Sequence, residues 1–179
     1  MIILQTSKKL SKPIALSQEE KIKWMTRLLT KAKLVGERGE VPIASVILDK
    51  KGRCIGYGGN RREAMKDPLG HAELVALRQA SWINNDWRFH DCTLIVNLEP
   101  CPMCAGALIQ ARMGKVIFGA EDKKRGALGG TINLAKHKSA HHNMLIERGI
   151  MEEESRKIIV DWFKDKRVLS RKNLLSKLR

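Results

Sequence analysis

The stretch of sequence that decides the fold spans residues 93–109 and reads TLIVNLEPCPMCAGALI. Its first part, Thr93 to Leu98, is almost wholly apolar, which is typical of a strand covered on both faces. Its second part begins a predicted short helix, Cys101 to Arg112, whose Ala and Gly residues suit it to lying close on a sheet. A doubly covered strand followed by such a helix favours an α/β architecture.

Outward from this stretch, hydrophobic periodicity and turn residues predict the other elements. Ser17 and Glu20 fit a capping box at the start of the first helix. The remaining predictions are a hairpin of Val41 to Leu48 and Arg53 to Gly58, a polar loop over 59–70, a helix through Leu74 to Ala80, strands at Lys115 to Gly119 and Met144 to Ile146, a polar loop over 121–143, and one long helix from Glu152. This order predicts a three-layer α/β/α sandwich around a five-stranded mixed sheet. We expect a basic N-terminal tail over 1–16 and a single domain over 17–179 that ends in a basic helix.

Charge is the strongest compositional feature. The 179 residues include 34 Lys and Arg against 19 Asp and Glu, a formal net charge of +15. A surplus of this size favours a polyanionic partner, most often nucleic acid, and the alternative is a basic surface that serves only solubility. Seven basic and two acidic residues lie between Asp161 and Arg179, which favours the first interpretation.

Cellular location and cysteine chemistry are linked. No apolar stretch approaches the roughly 18 residues of a membrane-spanning helix, and Met1 to Leu4 is too short for a signal peptide. We therefore expect a cytoplasmic protein with no membrane partner and no disulfide framework.

Cys54 and Cys92 fall inside apolar runs and are predicted to be small core residues. Cys101 and Cys104 form a C-x-x-C pair, which can be redox-active or metal-binding.

One imidazole and two thiols can form a three-ligand zinc set: His71, Cys101 and Cys104. A structural zinc would take a fourth protein ligand, and none of the other histidines has close spacing to the cysteine pair. Three ligands and an open position are typical of catalytic zinc. Residues i and i+3 share one face of a helix, so both cysteines can reach one ion from the first turn.

Glu73 is the predicted proton carrier beside this set. His71 and Glu73 would diverge by about 200° on an ideal helix, so they can flank one site only if His71 lies at the very start of the helix or just before it. Two thiolates neutralise Zn²⁺ and acidify its water less than histidines do, and a nearby general base compensates for this. H-x-E followed about 30 residues later by P-C-x-x-C is the signature of the zinc deaminases.

Longer motifs extend the signature: Asp67-Pro68-x-x-His71-Ala72-Glu73, then Leu98 to Ile109, then Arg112 to Ala127. They resemble the bacterial tRNA-specific adenosine deaminases, and the resemblance covers about residues 17–167. It implies a cytidine-deaminase-like fold, a homodimer and one Zn²⁺ per subunit. The implied reaction is hydrolytic conversion of the wobble adenosine to inosine in a tRNA anticodon stem-loop, that of an arginine tRNA by resemblance.

The resemblance also implies roles for individual residues. His71, Cys101 and Cys104 correspond to the zinc ligands, and Glu73 corresponds to the proton shuttle. The substrate-binding positions are Asn60, which hydrogen-bonds the target base, Ala72, Pro100, and Asp122, which lies near the ribose. Positions in or beside the regions that grip the anticodon arm are Lys123, Lys124, Arg125, His137, His142, Lys166 and Arg167. The alternatives are a turn role for Asn60, a solvated loop acid at Asp122, and solvated charges at the basic positions.

Three departures from the family pattern affect the predicted pocket. Gly59 stands where an aromatic residue is frequent, Ala44-Ser45 where Gly-Ala is frequent, and Lys136-His137 where the family has a histidine pair. Two other functions fit part of the sequence. A deaminase of a free base or nucleoside, of guanine or cytosine type, explains the zinc set but not the charge. A noncatalytic RNA-binding subunit with a structural zinc would not need Glu73.

Overall fold

A computed structural model of the protein describes residues 12–177, with side chains as far as Arg171. The elements follow one another as α1 (Gln18–Glu37), β1 (Ala44–Leu48), β2 (Cys54–Gly59), α2 (Arg62–Met65), α3 (Ala72–Asn84), β3 (Thr93–Leu98), α4 (Pro102–Gln110), β4 (Lys115–Ala120), a 3-10 turn (Leu134–Lys136), β5 (Leu145–Arg148) and α5 (Glu152–Lys177). Within this range no helix is long and apolar enough to cross a membrane. Most of the predicted tail, residues 1–11, lies outside the described residues, as do the side chains beyond Arg171 at the predicted basic end.

The five strands form one mixed sheet in the order β2-β1-β3-β4-β5. β1 is antiparallel to both β2 and β3, whereas β3, β4 and β5 are parallel to one another. β2 and β3 therefore run in the same direction, and α4 is the crossover that two parallel strands such as β3 and β4 require. As a result, the C-terminal ends of β2, β3 and β4 lie at the same end of the sheet.

Helices cover both faces of the sheet, which confirms the predicted three layers. Ile95 and Ile117 belong to a core cluster with α1, against which Ile158 of α5 also packs. Their strand neighbours Leu94, Val96 and Val116 belong to a second cluster with α3 and α4. Because successive side chains of a strand point to opposite faces, a central strand with a core on each side must be apolar at almost every position.

Small residues bring α3 very close to the edge strand β2. A Cβ added at Gly58 would lie 2.2 Å from the carbonyl oxygen of Ala72, and one at Gly56 would lie 2.3 Å from that of Ala76. Real Cβ atoms do not approach oxygen so closely, so a larger residue on the strand would push the helix away. This contact holds the start of α3 beside Asn60 at the end of β2.

The capping box is confirmed, because the Ser17 hydroxyl accepts the Glu20 N–H and the Glu20 carboxylate accepts the Ser17 N–H. Two local predictions are wrong. Cys54 is exposed rather than buried, because it opens β2 at the edge of the sheet, where the strand has a neighbour on one side only. The loop over 59–70 contains the short helix α2, which the buried Glu40 carboxylate holds by accepting the Ala64 N–H at 2.9 Å.

Candidate active site

His71 and Cys101 occupy equivalent places, each immediately before the first residue of a helix. His71 precedes α3 with extended backbone angles (φ −79°, ψ 146°), and Cys101 precedes α4 in the same way (φ −71°, ψ 171°). Pro102 is the first residue of α4, where its missing N–H costs nothing and its fixed φ suits a helix start. The prediction that His71 lies just before its helix is confirmed, and this placement lets its ring and Glu73 face one site.

The three donor atoms converge. His71 Nδ1 lies 3.7 Å from Cys101 Sγ and 3.5 Å from Cys104 Sγ, and the three atoms lie within 4.8 Å of one another. Ordinary Zn–N and Zn–S bonds in a tetrahedron separate nitrogen from sulfur by about 3.6 Å. The spacing and the chemistry of the donors therefore fit a zinc ion held by one imidazole and two thiolates.

The electrostatics of the set favours a thiolate before any metal binds. A hydrogen bond from Cys104 lowers the pKa of the Cys101 thiol to about 3. A hydrogen bond with Cys101 raises the pKa of the His71 ring above its ordinary value. The bond to Cys101, together with burial, raises the pKa of Cys104. Zinc ligation requires both thiols in the deprotonated form, so metal binding would release protons from this set.

Glu73 lies in the first turn of α3 and is only 4% exposed. Its carboxylate acts electrostatically on the Cys104 thiol, and its Oε2 is buried without a hydrogen-bond partner among residues 12–171. Burial raises the pKa of this carboxyl above its ordinary value. A buried carboxyl with a raised pKa holds a proton more readily than an exposed one, which suits a residue that takes up and passes on protons.

Asn60 is tied to the start of α3. Its side-chain Oδ1 accepts the N–H of Ala72 at 2.9 Å, and its backbone N–H donates to the carbonyl of Ile43 at 3.1 Å. The side chain is buried, and with Oδ1 engaged, the amide Nδ2 is the end that can donate to a ligand. The structure therefore places Asn60 and Ala72 at the metal-ligand end of α3.

Glu99 is a site residue that the sequence reasoning missed. It is 2% exposed and accepts three backbone N–H groups, from Leu128 and Gly130 at 2.8 Å each and from Asp122 at 3.0 Å. A Cβ at Gly130 would lie 2.4 Å from Glu99 Oε2. The loop can therefore come this close to the carboxylate only because residue 130 is a glycine. An acid directly after a buried strand was the available signal, since a charge in that place needs partners.

The loop that Glu99 holds carries several predicted contacts. Pro100 is buried, and its carbonyl accepts the Ala127 N–H at 3.0 Å. The Asp122 carboxylate accepts the N–H groups of Lys124 and Arg125 at 2.9 and 3.0 Å, which shapes the turn. Lys123, Lys124 and Arg125 are exposed on this turn. Asp122 thus has a local structural role. The turn places three cations at the same end of the sheet as the metal ligands.

Other predicted contacts lie away from the metal ligands. His142 Nε2 donates to the carbonyl of Met113 at 2.8 Å, which places it at the opposite end of α4 from Cys101, about 14 Å along the helix. His137 is exposed, and its Nδ1 accepts the Ser139 N–H at 3.2 Å. Lys166 and Arg167 are exposed on α5, on the other face of the sheet.

We expect Glu99→Gln to loosen the loop over 122–130 without removing the metal ligands. The amide Nε2 would face an N–H donor in place of an acceptor, and an unsatisfied buried donor costs about 1–3 kcal/mol. Chemical denaturation should show this loss, and hydrogen exchange should show faster exchange at the Leu128 and Gly130 amides. Glu121→Gln is the control, because Glu121 makes a part-exposed ion pair with Arg148 that is worth less than about 1 kcal/mol. Unchanged exchange in Glu99→Gln would contradict this interpretation.

The fold and the site together define a deaminase. Residues 19–167 match the model of the MafB19-like deaminases. A tRNA-specific adenosine deaminase of Bacillus subtilis is 37% identical over 154 residues, which cover 84% of this chain and 95% of the relative. One of Haemophilus influenzae is 33% identical and covers 83% of this chain and 84% of the relative. The chain therefore belongs to the tRNA-specific adenosine deaminase family.

A solved structure agrees with this assignment. It comes from work on A-to-I editing by tRNA:A34 deaminases at the wobble position of transfer RNA. It is 36% identical in sequence, has a TM-score of 0.73, and covers 76% of this chain and 98% of that one. The expectation of a cytidine-deaminase-like fold is confirmed.

Proposed function

We propose that this protein is a zinc-dependent enzyme that hydrolyses adenosine to inosine at the wobble position of a tRNA anticodon. The observation that carries the proposal is the convergence of the His71, Cys101 and Cys104 donor atoms beside the buried carboxylate of Glu73. Members of the chain's family are named for this substrate, and the net charge of +15 suits a polyanion. One Zn²⁺ per subunit, held by the three donors, would activate a water molecule as a Lewis acid.

The protein's own groups would move the protons. Glu73 takes a proton from the attacking water and delivers it to N1 of the adenine, while the water oxygen bonds to C6. Glu73 then carries the second water proton to the amino group, the C6–N bond breaks, and ammonia leaves. Asn60 Nδ2 donates to the base, and Ala72 and Pro100 line its pocket. Asp122 shapes the loop that lies near the ribose.

The protein would bind the tRNA through its phosphates. Seven basic or potentially basic side chains lie at the positions where the family resemblance predicts tRNA contacts: Lys123, Lys124, Arg125, His137, His142, Lys166 and Arg167. We propose an anticodon stem-loop as the recognised part, that of an arginine tRNA by family resemblance. Its unpaired loop allows a base to be flipped into a site that cannot accept a paired one. A cytoplasmic location follows from this substrate.

Assembly and domain limits belong to the same proposal. We propose a homodimer, because a Cβ added at Gly106 of α4 would meet nothing within 4 Å, so part of this Ala/Gly-rich helix face is left open by its own chain. Residues 17–179 would form the single deaminase domain and 1–16 the basic tail. Light scattering at micromolar concentration tests the dimer, and a fully active monomer would overturn it.

Incubation with total tRNA, followed by inosine detection and sequencing of the modified position, tests the function. We expect inosine at the wobble position and nowhere else. The rival, a deaminase of a free base or nucleoside of guanine or cytosine type, shares the zinc chemistry. Ammonia release from guanine, cytosine or their nucleosides without inosine formation in tRNA would favour that rival and reject the proposal.

Lys166→Ala with Arg167→Ala should weaken tRNA binding and flatten its salt dependence. Each lost phosphate contact lowers the slope of log affinity against log salt by about one, because fewer counterions are released. Binding curves across a salt series measure the slope. Lys23→Ala with Lys51→Ala removes the same charge from exposed positions on other elements and is the control. Identical slopes for the two double variants would show that the α5 cations serve solubility alone.

A further inference from the structure

A cavity of about 240 Å³ lies at the end of β2, with Asn60 among its lining residues. Its walls come from the second half of α1, the end of β2, α2 and the first turns of α3. Among its lining residues are Lys31, Arg38, Arg61, Glu40, Tyr57 and Asn60. We refer to this cavity as the β2-end pocket.

The lining of the β2-end pocket has a net positive charge, with three cations and one acid. Its three cations are Lys31, Arg38 and Arg61, and none of them forms an ion pair within 4.0 Å among the residues whose side chains are described. The one acid, Glu40, is buried and accepts the Ala64 N–H. Arg61 Nε is buried and has no hydrogen-bond partner within the same described part. Lys31 Nζ lies 5.8 Å from the centre of the Tyr57 ring.

The pocket adjoins the candidate active site, because Asn60 lines the pocket and also belongs to the candidate active site. The Asn60 side chain reaches Ala72, the residue after His71, while its neighbour Arg61 lines the pocket. The positive charge also continues away from the site. A Cβ at Gly39, the residue after Arg38, would lie 3.8 Å from Lys166 Nζ on α5. Lys166 therefore lies beside the residue that follows Arg38, so positive charge is present on the α5 side of the pocket as well, as in a groove that follows a phosphate backbone.

We propose that the β2-end pocket binds a backbone phosphate of the RNA substrate, one that flanks the nucleotide whose base reaches Asn60. This inference rests on the proposed function. The cavity has room for a phosphate and several waters, at roughly 30 Å³ for each water. Two guanidinium groups and an ammonium suit phosphate oxygens, and arginine can bind them in a bidentate manner. A free base or nucleoside carries no phosphate, so the pocket would add affinity only for substrates that carry one.

The test combines a protein variant with a neutralised phosphate. The variant is Lys31→Gln with Arg61→Gln, and the charge-matched control is Lys23→Gln with Lys51→Gln at exposed positions. The probes are synthetic arginine anticodon stem-loops with adenosine at the wobble position, each carrying one methylphosphonate at a different loop linkage. Zinc content and thermal unfolding establish that both variants are folded, and Lys31→Gln alone serves if the double variant is not.

We expect the double variant to bind the unmodified stem-loop about tenfold or more weakly, and its salt slope to fall by about 0.7 for the one phosphate lost. One methylphosphonate next to the target should weaken binding to the parent and to the control by a similar factor. The same probe should leave the double variant unaffected, because the contact is already missing. If every linkage affects the parent and the double variant equally, the pocket does not bind phosphate.

Two further outcomes separate this inference from the proposed function. If the parent forms wobble inosine in tRNA while the double variant binds like the control, the pocket assignment fails and the function stands. If the parent forms no inosine in any tRNA, the proposed function fails and the inference fails with it. Adenosine 5′-monophosphate is assayed alongside. Preferential deamination of this mononucleotide, lost in the double variant, would assign the pocket to a free nucleotide and overturn the RNA assignment.

Discussion

Replacing Glu73 by glutamine should lower turnover on tRNA by at least the roughly 10²–10⁴-fold that general acid–base catalysis contributes. Glutamine has the size of glutamate, so it can occupy the same buried place without opening a cavity. It cannot take up and release a proton, so neither proton transfer of the proposed reaction can pass through it. The loss should appear in kcat, with tRNA affinity close to that of the parent. Single-turnover inosine formation measures the chemical step directly.

The Glu73→Gln protein should keep its zinc and its fold. Because the native carboxylate has a buried oxygen without a partner, removing its charge is not expected to lower the free energy of unfolding. Glu63→Gln is a suitable control, since Glu63 is an exposed glutamate on the nearby helix α2 and is expected to leave turnover unchanged. Near-normal turnover in zinc-loaded Glu73→Gln would show that another group moves the protons.

Replacing Cys101 or Cys104 by alanine should reduce zinc from about one ion per chain to near zero and abolish activity. Two donors of the three cannot hold the ion with comparable affinity, because each thiolate supplies charge as well as a bond. Elemental analysis of the reduced, folded protein measures the metal. Zinc should also stabilise the parent, by about 2.7 kcal/mol when free zinc is a hundredfold above Kd, and this gain should vanish in either variant.

Cys54→Ala provides the matched control for this experiment. Its thiol is exposed at the edge of the sheet, so its removal should change neither zinc content nor activity. Full zinc occupancy in the Cys104→Ala variant would mean that the ion binds elsewhere. Absence of zinc from the folded, reduced parent would remove the proposed chemistry altogether.

The sequence alone predicted the fold class and the metal-ligand set, because both depend on short-range patterns. The unbroken apolar run of β3 indicated a strand with a core on each side, and the i, i+3 spacing of Cys101 and Cys104 placed both on one helix turn. The requirement that His71 precede its helix followed from helix geometry alone. The carboxylate of Glu73 could be assigned beside the ligands for the same reason.

Short-range patterns were insufficient where a residue's surroundings come from distant parts of the chain. Cys54 lies in an apolar run, yet strand order puts it at the edge of the sheet and exposes it. The contact of His142 likewise comes from a distant segment, because its Nε2 donates to the carbonyl of Met113 at the far end of α4. In both residues, the packing of other elements decides what the side chain contacts.

What the sequence by itself determined is the chemistry: the imidazole and thiols that can hold a metal, the glutamate beside them, and a positive charge suited to a polyanion. What only the tertiary structure decided is how distant segments meet around that chemistry. Glu99 gains three N–H partners from a loop more than 20 residues away, and Lys31 meets Arg61 across a cavity. The physical reason is that local spacing fixes the relative directions of side chains within one helix or strand. Contacts between elements follow from strand order and packing, which no single segment of the sequence specifies.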